Sequence, residues 1–158
     1  MQILIVYDSF FGNTEQIVRQ IGEALSETHK VETVRAGDAT AEMTAAVELL
    51  IVGSPTRGFR PSEGTARFLD LFGRGSLDGK KVAAFDTRIP VETIQSGLLR
   101  FIVNKGGYAA PAIAKKLERS GARLIAPPEG FFVNGTEGPL KEGELERAAA
   151  WARSLISG

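Results

Sequence analysis

The sequence predicts an α/β protein, a five-stranded parallel sheet with helices on both faces. Short β-rich apolar runs alternate with amphipathic helical stretches through the whole chain. The runs are continuously apolar, as strands buried on both faces are. Right-handed crossovers between such strands carry the intervening helices to either side of the sheet. A chain of 158 residues fits one domain (1–158) and buries roughly 70% of its unfolded surface, so it needs no disulfide or metal to complete a core.

Ile3 to Tyr7 reads as the first strand, ending at a polar, glycine-containing turn. Ile17, Ile21, Ala24 and Leu25 then recur at helical spacing, with Glu15, Arg19, Gln20 and Glu23 on the other face. Val31 to Val34 is a second strand and Leu49 to Val52, running into Gly53-Ser54-Pro55, a third; Ala39 to Val47 between them has room only for a short helix. Thr65, Phe68, Leu69 and Phe72 mark a helix stopped by Gly73 and Gly75. Lys81 to Phe85 is the fourth strand. Ala109, Ile113, Ala114 and Leu117 outline a helix closed by Gly121, and Leu124 to Ala126 with Phe131 to Val133 form a fifth strand interrupted at Pro127-Pro128. Leu145, Ala148, Ala149, Ala152 and Leu155 give the last helix. Arg88 to Lys105 is too long for a simple turn; its apolar cluster, Leu98 to Val103, is expected to pack on the domain, with a ligand or partner contact as the second reading.

Composition narrows the function. Lys and Arg total 19 and Asp and Glu 19, and the only basic pairs, Lys80-Lys81 and Lys115-Lys116, lie in mixed segments. No electrostatic footprint for nucleic acid is present. The absence of Cys excludes thiolate iron-sulfur ligation and dithiol chemistry, and one His, placed at a turn beside Lys30, makes zinc improbable, so no metal is expected. The amino-terminal run turns polar at once and carries no basic residue before Arg19, unlike a secretory signal. No apolar run approaches the roughly 20 residues of a spanning helix. A cytoplasmic protein without an integral membrane segment is the expectation.

The first strand runs into Asp8-Ser9-Phe10-Phe11-Gly12-Asn13-Thr14 and then a helix. Exposed N–H groups and the positive helix end make such a junction an anion site. Gly12 lets the backbone approach closely, and Ser9, Asn13 and Thr14 offer polar donors. The loop has neither the Gly-Lys-Ser/Thr ending of a P-loop nor the G-x-G-x-x-G dinucleotide fingerprint, and it carries no Lys or Arg. Neutral donors suit a terminal monophosphate. The same residues also fit plain capping, with Asn13 as N-cap and Gln16 completing a capping box; the position after the first strand, where open sheets bind ligands at a switch point, favours the anion site.

Ser9-Phe10-Phe11-Gly12-Asn13-Thr14 resembles the flavodoxin phosphate loop, [ST]-x-[ST]-G-x-T, except that Phe11 replaces a hydroxyl residue. The resemblance extends over almost the whole chain, through the Gly-Ser-Pro-Thr loop after strand three and the split final strand. It implies a flavodoxin-like three-layer sandwich with strand order 2-1-3-4-5, FMN as cofactor, and electron transfer with redox partner proteins or a small-molecule reductant or acceptor. It places Ser54, Pro55, Thr56, Arg57, Gly58 and Phe59 on one side of the flavin ring, and the loop beginning Asp86, Thr87 and Arg88 on the other. The loss of a hydroxyl at Phe11 implies weaker binding than usual.

Phe59 offers a stacking face worth about 0.5–1.5 kcal/mol beyond its burial, or is simply a core or surface aromatic. Tyr108 reads as a packed helix residue, with stacking on the flavin as the second reading. Arg57, Arg60 and Arg88 read as solvated charges of which one neighbours the flavin; positive charge there favours the reduced anion and a second potential less negative than in acidic flavodoxins. A phosphoacceptor receiver is excluded because no Asp ends the third strand, and a serine hydrolase because G-x-S-x-G is absent. Two alternatives to an electron carrier stand: an FMN-dependent quinone or protoporphyrinogen-type reductase, and a flavodoxin-like binding module that has lost FMN. In the carrier reading no side chain acts as acid or base.

Gly58 permits a peptide to reorient at little steric cost, and the resemblance implies that such a flip offers a carbonyl to the one-electron-reduced flavin. Gly58→Ala is therefore expected to lower the semiquinone yield, read from the long-wavelength band during reductive titration.

Overall fold

The computed structural model describes residues 1–57, 60–90, 97 and 107–157. In chain order the elements are β1 (Gln2–Tyr7), α1 (Asn13–Ser26), β2 (Lys30–Arg35), two 3-10 turns (Ala36–Asp38 and Ala41–Thr44), β3 (Leu49–Pro55), α2 (Glu63–Leu69), β4 (Lys81–Arg88), α3 (Ala109–Arg119), β5 (Arg123–Leu124), β6 (Glu129–Phe132) and α4 (Glu144–Ile156). The strands pair in the order β2-β1-β3-β4-β5, all parallel, and β6 pairs with β4 beyond β5. This is the flavodoxin-like arrangement expected, with the fifth strand split into two pieces on one neighbour.

Because side chains alternate along a strand, each central strand feeds two cores. Leu4, Val6, Leu50, Val52, Val82 and Ala84 pack with Phe68 and Leu69 of α2 and Ile113, Ala114 and Leu117 of α3. Ile3, Ile5, Leu49, Ile51, Ala83 and Phe85 pack with Ile17, Ile21 and Leu25 of α1 and Ala148 and Ala152 of α4. Phe85, Phe131 and Trp151 meet edge to face with centroids 5.8–5.9 Å apart. Gly53 makes room for that cluster: a Cβ there would lie 2.0 Å from the Phe85 ring.

Several boundaries depart from the sequence expectation. β3 and β4 run three residues past their apolar cores, to Pro55 and Arg88, because Gly53 pairs with Phe85, Ser54 with Asp86 and Pro55 with Thr87. Asp86, Thr87 and Arg88 therefore end a strand instead of beginning a loop. α2 stops at Leu69, short of Gly73, although Phe72 still packs edge-on against Phe68 at 5.1 Å. The Asn13–Gln16 capping box does not form: Gly12, at φ 89°, is the N-cap of α1 and no side chain caps it. Of the stretch from Arg88 to Lys105, residues 91–96 and 98–105 lie outside the described residues. No described helix is long and apolar enough to cross a membrane.

A charged clamp ties α4 to the last strand. Glu144 Oε2 accepts the Phe132 N–H at 2.7 Å, and Arg147 donates to both Glu144 oxygens (2.9 and 2.6 Å) and to the Gly130 carbonyl. Burial pushes the Glu144 carboxyl up, but the Arg147 and Phe132 hydrogen bonds outweigh it and hold the group below its ordinary value. A depressed carboxylate adds stability that is complete above its unfolded-state value and lost as pH falls through the folded one. Glu144→Gln should cost about 1.5–3 kcal/mol at neutral pH. In urea unfolding at neutral and at acidic pH, wild type and variant should converge in acid.

Candidate functional site

A cleft of about 290 Å³ opens at the carboxyl ends of β1, β3 and β4. Its walls come from Ser9, Phe10, Phe11, Asn13 and Thr14 of the first loop, Pro55, Thr56 and Arg57 after β3, Thr87, Arg88 and Ile89 at the end of β4, and Val133 and Thr136 after β6. The volume is near the lower end of the range for small-molecule sites.

The first loop is wound around Ser9. Its Oγ accepts the Gly12 N–H at 3.2 Å and the Glu15 N–H at 3.4 Å, and the left-handed Gly12 turns the chain into α1. The amide N–H groups of Phe10, Phe11, Asn13 and Thr14 have no acceptor among the described residues. Four free donors thus gather at the positive end of a 14-residue helix. Behind the loop, Asp8 accepts the Ser9 N–H (2.9 Å) and the Ser62 hydroxyl (2.6 Å), and Ser62 in turn caps α2. Arg35 donates to the Ser9 carbonyl at 3.0 Å and pairs with Glu15, so its charge is spent bracing the loop from outside. Asn13 donates to the Glu137 carbonyl at 3.1 Å across a gap that Gly138 leaves open; a Cβ at Gly138 would lie 2.6 Å from Asn13 Oδ1.

The other walls are fastened to the same frame. Thr14 and Thr87 share a buried hydroxyl hydrogen bond of 2.8 Å, joining the start of α1 to the end of β4. Thr56 donates its N–H to the Thr87 carbonyl (3.0 Å), while its Oγ1 accepts the Ala109 N–H at the start of α3 (3.1 Å). Arg57 lies over the half-exposed Phe10 ring at 4.7 Å and pairs through its backbone with Arg60. Arg88 makes a two-pronged ion pair with the fully buried Asp86, Nε to Oδ1 at 2.6 Å and Nη2 to Oδ2 at 2.8 Å. Burial raises the Asp86 carboxyl above its ordinary value, and the Arg88 and Ala110 hydrogen bonds draw it only partly back.

Among the sequence-predicted residues, Ser9, Phe10, Phe11, Asn13, Thr14, Pro55, Thr56, Arg57, Thr87 and Arg88 converge on this one cleft. Three others do not line it. Gly12 shapes the loop from within. Ser54 turns inward, its Oγ donating to the Pro55 carbonyl (2.8 Å) and accepting the Ser62 N–H (2.9 Å). Asp86 is enclosed beneath Arg88. Gly58 and Phe59 lie outside the described residues. Arg88 is not the solvated charge its sequence context suggests, because the buried carboxylate two residues earlier captures it. Tyr108, read as a packed helix residue, is the half-buried N-cap of α3, with Arg88 3.8 Å above its ring. Sequence reasoning missed Val133 and Thr136, which no local motif marks; they reach the cleft only because β6 pairs with the end of β4.

No family model matches the sequence. Among solved structures, oxidised flavodoxin 2 from Bacillus cereus is similar at 25% identity with a TM-score of 0.78, over 98% of this chain and 97% of that one. The two-electron reduced flavodoxin of Megasphaera elsdenii is similar at 25% identity and a TM-score of 0.66, over 96% and 98%. Rubredoxin oxygen:oxidoreductase from Desulfovibrio gigas matches at 20% identity and a TM-score of 0.72, over 98% of this chain but 35% of that one. The chain has the flavodoxin-like fold. Near-complete coverage in both directions by flavodoxins supports the flavodoxin family for it.

The donor set of the first loop, neutral N–H groups at a helix end with no cation among them, fits a phosphate monoester. Stability there rests on the threonine pair. Thr14→Val should destabilise by about 1–3 kcal/mol, because the Thr87 hydroxyl loses its buried partner, whereas the double Thr14→Val, Thr87→Val change should be closer to neutral. A double-mutant cycle in urea reads the difference.

Proposed function

We propose that this protein binds FMN in the cleft and passes electrons to redox partner proteins or small-molecule acceptors as a single cytoplasmic domain. The observation that carries the reading is the set of four unpartnered N–H groups at the start of α1, in a cleft between β1 and β3 where the strand order reverses. The flavodoxin likeness of the whole chain supports it.

In this reading Phe10, Phe11, Asn13 and Thr14 hold the phosphate through backbone N–H groups, with the helix end supplying positive potential. Ser9 and Gly12 keep those donors turned outward. Pro55, Thr56, Arg57, Gly58 and Phe59 on one side, and Thr87 and Arg88 on the other, bound the ring and exclude water. FMN supplies the electron-transfer chemistry when bound, and the chain supplies position and electrostatics. No side chain of the cleft is needed as acid or base.

FMN fluorescence should be quenched on titration with the apoprotein and the complex should survive gel filtration, with riboflavin, which lacks the phosphate, binding far more weakly. Phe11→Ser should tighten FMN binding by about tenfold or more, the worth of one added hydrogen bond to a charged group. Absence of binding at excess FMN would leave a flavodoxin-like binding module. The even balance of 19 basic and 19 acidic residues favours a second reading, an FMN-dependent quinone or protoporphyrinogen-type reductase, since carriers gain from a charge patch that steers partners. Steady-state turnover with NAD(P)H and a quinone separates the two.

A further inference from the structure

Arg88 is held more firmly than any other cation bordering the cleft. Two of its nitrogens are committed to Asp86, its guanidinium lies 3.8 Å over the Tyr108 ring, and Tyr108 is itself fixed by donating to the Ile89 carbonyl at 2.9 Å. On the far side the side chain crosses β6 at Gly130, where a Cβ would fall 2.1 Å from Nε. Asp86 cannot follow Arg88 outward, because its Oδ2 also accepts the Ala110 N–H at 2.8 Å. Both partners are locked.

One nitrogen is left over. Nη1 has no acceptor among the described residues, and every buried side-chain nitrogen and oxygen described has a partner, so Nη1 keeps contact with open space. Arg88 itself lines the cleft. The result is a guanidinium neutralised by a buried carboxylate, on a residue that lines the cleft, with one nitrogen left without an acceptor among the described residues. Such a group differs from a free surface arginine: it is not screened by rotation into solvent, and its charge is compensated by a carboxylate 2.6–2.8 Å from two of its nitrogens.

We propose that Arg88 is a fixed donor to the bound cofactor and that Asp86, as a positioning residue, sets the flavin's reduction potential by cancelling the Arg88 charge. The proposal rests on the FMN reading above. Reduction adds electron density to the ring, so an uncompensated cation beside it favours the reduced form, and a compensated one does so less.

Asp86→Asn keeps an oxygen for the Arg88 fork and removes the compensating charge. It should tighten reduced FMN relative to oxidised FMN at least tenfold, about 30 mV upward for a two-electron couple. Arg88→Gln replaces the guanidinium with a shorter, neutral amide and should shift the potential downward. Both are read by redox titration of the FMN-loaded protein beside FMN dissociation constants and thermal unfolding of the apoproteins, so that a purely structural effect appears in stability without a change of potential. Opposite shifts in the two variants support the proposal, and if only one folds its predicted shift does the same. Potentials equal to wild type in every folded, FMN-loaded variant overturn it alone; a wild-type chain that binds no FMN overturns it together with the FMN reading.

Discussion

The pairing of β3 with β4 beyond their apolar residues is the constraint on which the rest of the site depends. The cores end at Val52 and Phe85, yet the backbone ladder continues to Pro55 and Thr87. That extension delivers Thr56 and Thr87 to one level above the sheet, where Thr56 bonds the Thr87 carbonyl and Thr14, at the start of α1, bonds the Thr87 hydroxyl. Gly53 is its steric condition. Only a residue without a Cβ lets Phe85 lie across β3, and Phe85 in turn seats Phe131 and Trp151. Aromatic packing on one face of the sheet thus sets the height of the polar cleft at its end.

Polar groups in that region are spent on one another. Ser54 ties β3 to Ser62, Ser62 caps α2 and donates to Asp8, and Asp8 holds the Ser9 N–H. The chain of contacts runs beneath the loops and leaves no described buried side-chain donor or acceptor without a partner. Among the described residues, donors left unpaired at the cleft include main-chain N–H groups of the first loop and one edge of Arg88. A buried network that is fully satisfied is rigid, and here rigidity below preserves unsatisfied donors above.

The charge distribution follows the same economy. Arg35 is held by Glu15 and Asp8, Arg88 by Asp86, and Arg147 by Glu144 and Glu129. Around the binding end and the last strand, charges are thus arranged in local pairs. Of Arg57, Arg60 and Arg88, read from sequence as solvated positive charge near a ligand, Arg88 is already compensated by Asp86.

Strand and helix alternation, the two-faced cores and the phosphate-type loop were legible in the residues themselves, because apolar periodicity and glycine placement act over a few positions. Ser9, Phe10, Phe11, Asn13 and Thr14 form one continuous segment, so their convergence needed no tertiary information. The inward turn of Ser54, the capture of Arg88 by Asp86, and the arrival of Val133 and Thr136 at the cleft were decided only by the tertiary structure. Each depends on a partner far along the chain or on a neighbouring strand: Ser62 for Ser54, Gly130 and Tyr108 for Arg88, the β4 pairing of β6 for Val133. Local sequence determines which backbone a segment prefers; which way a polar side chain points at a strand end is settled by the hydrogen-bond partners that folding brings within reach.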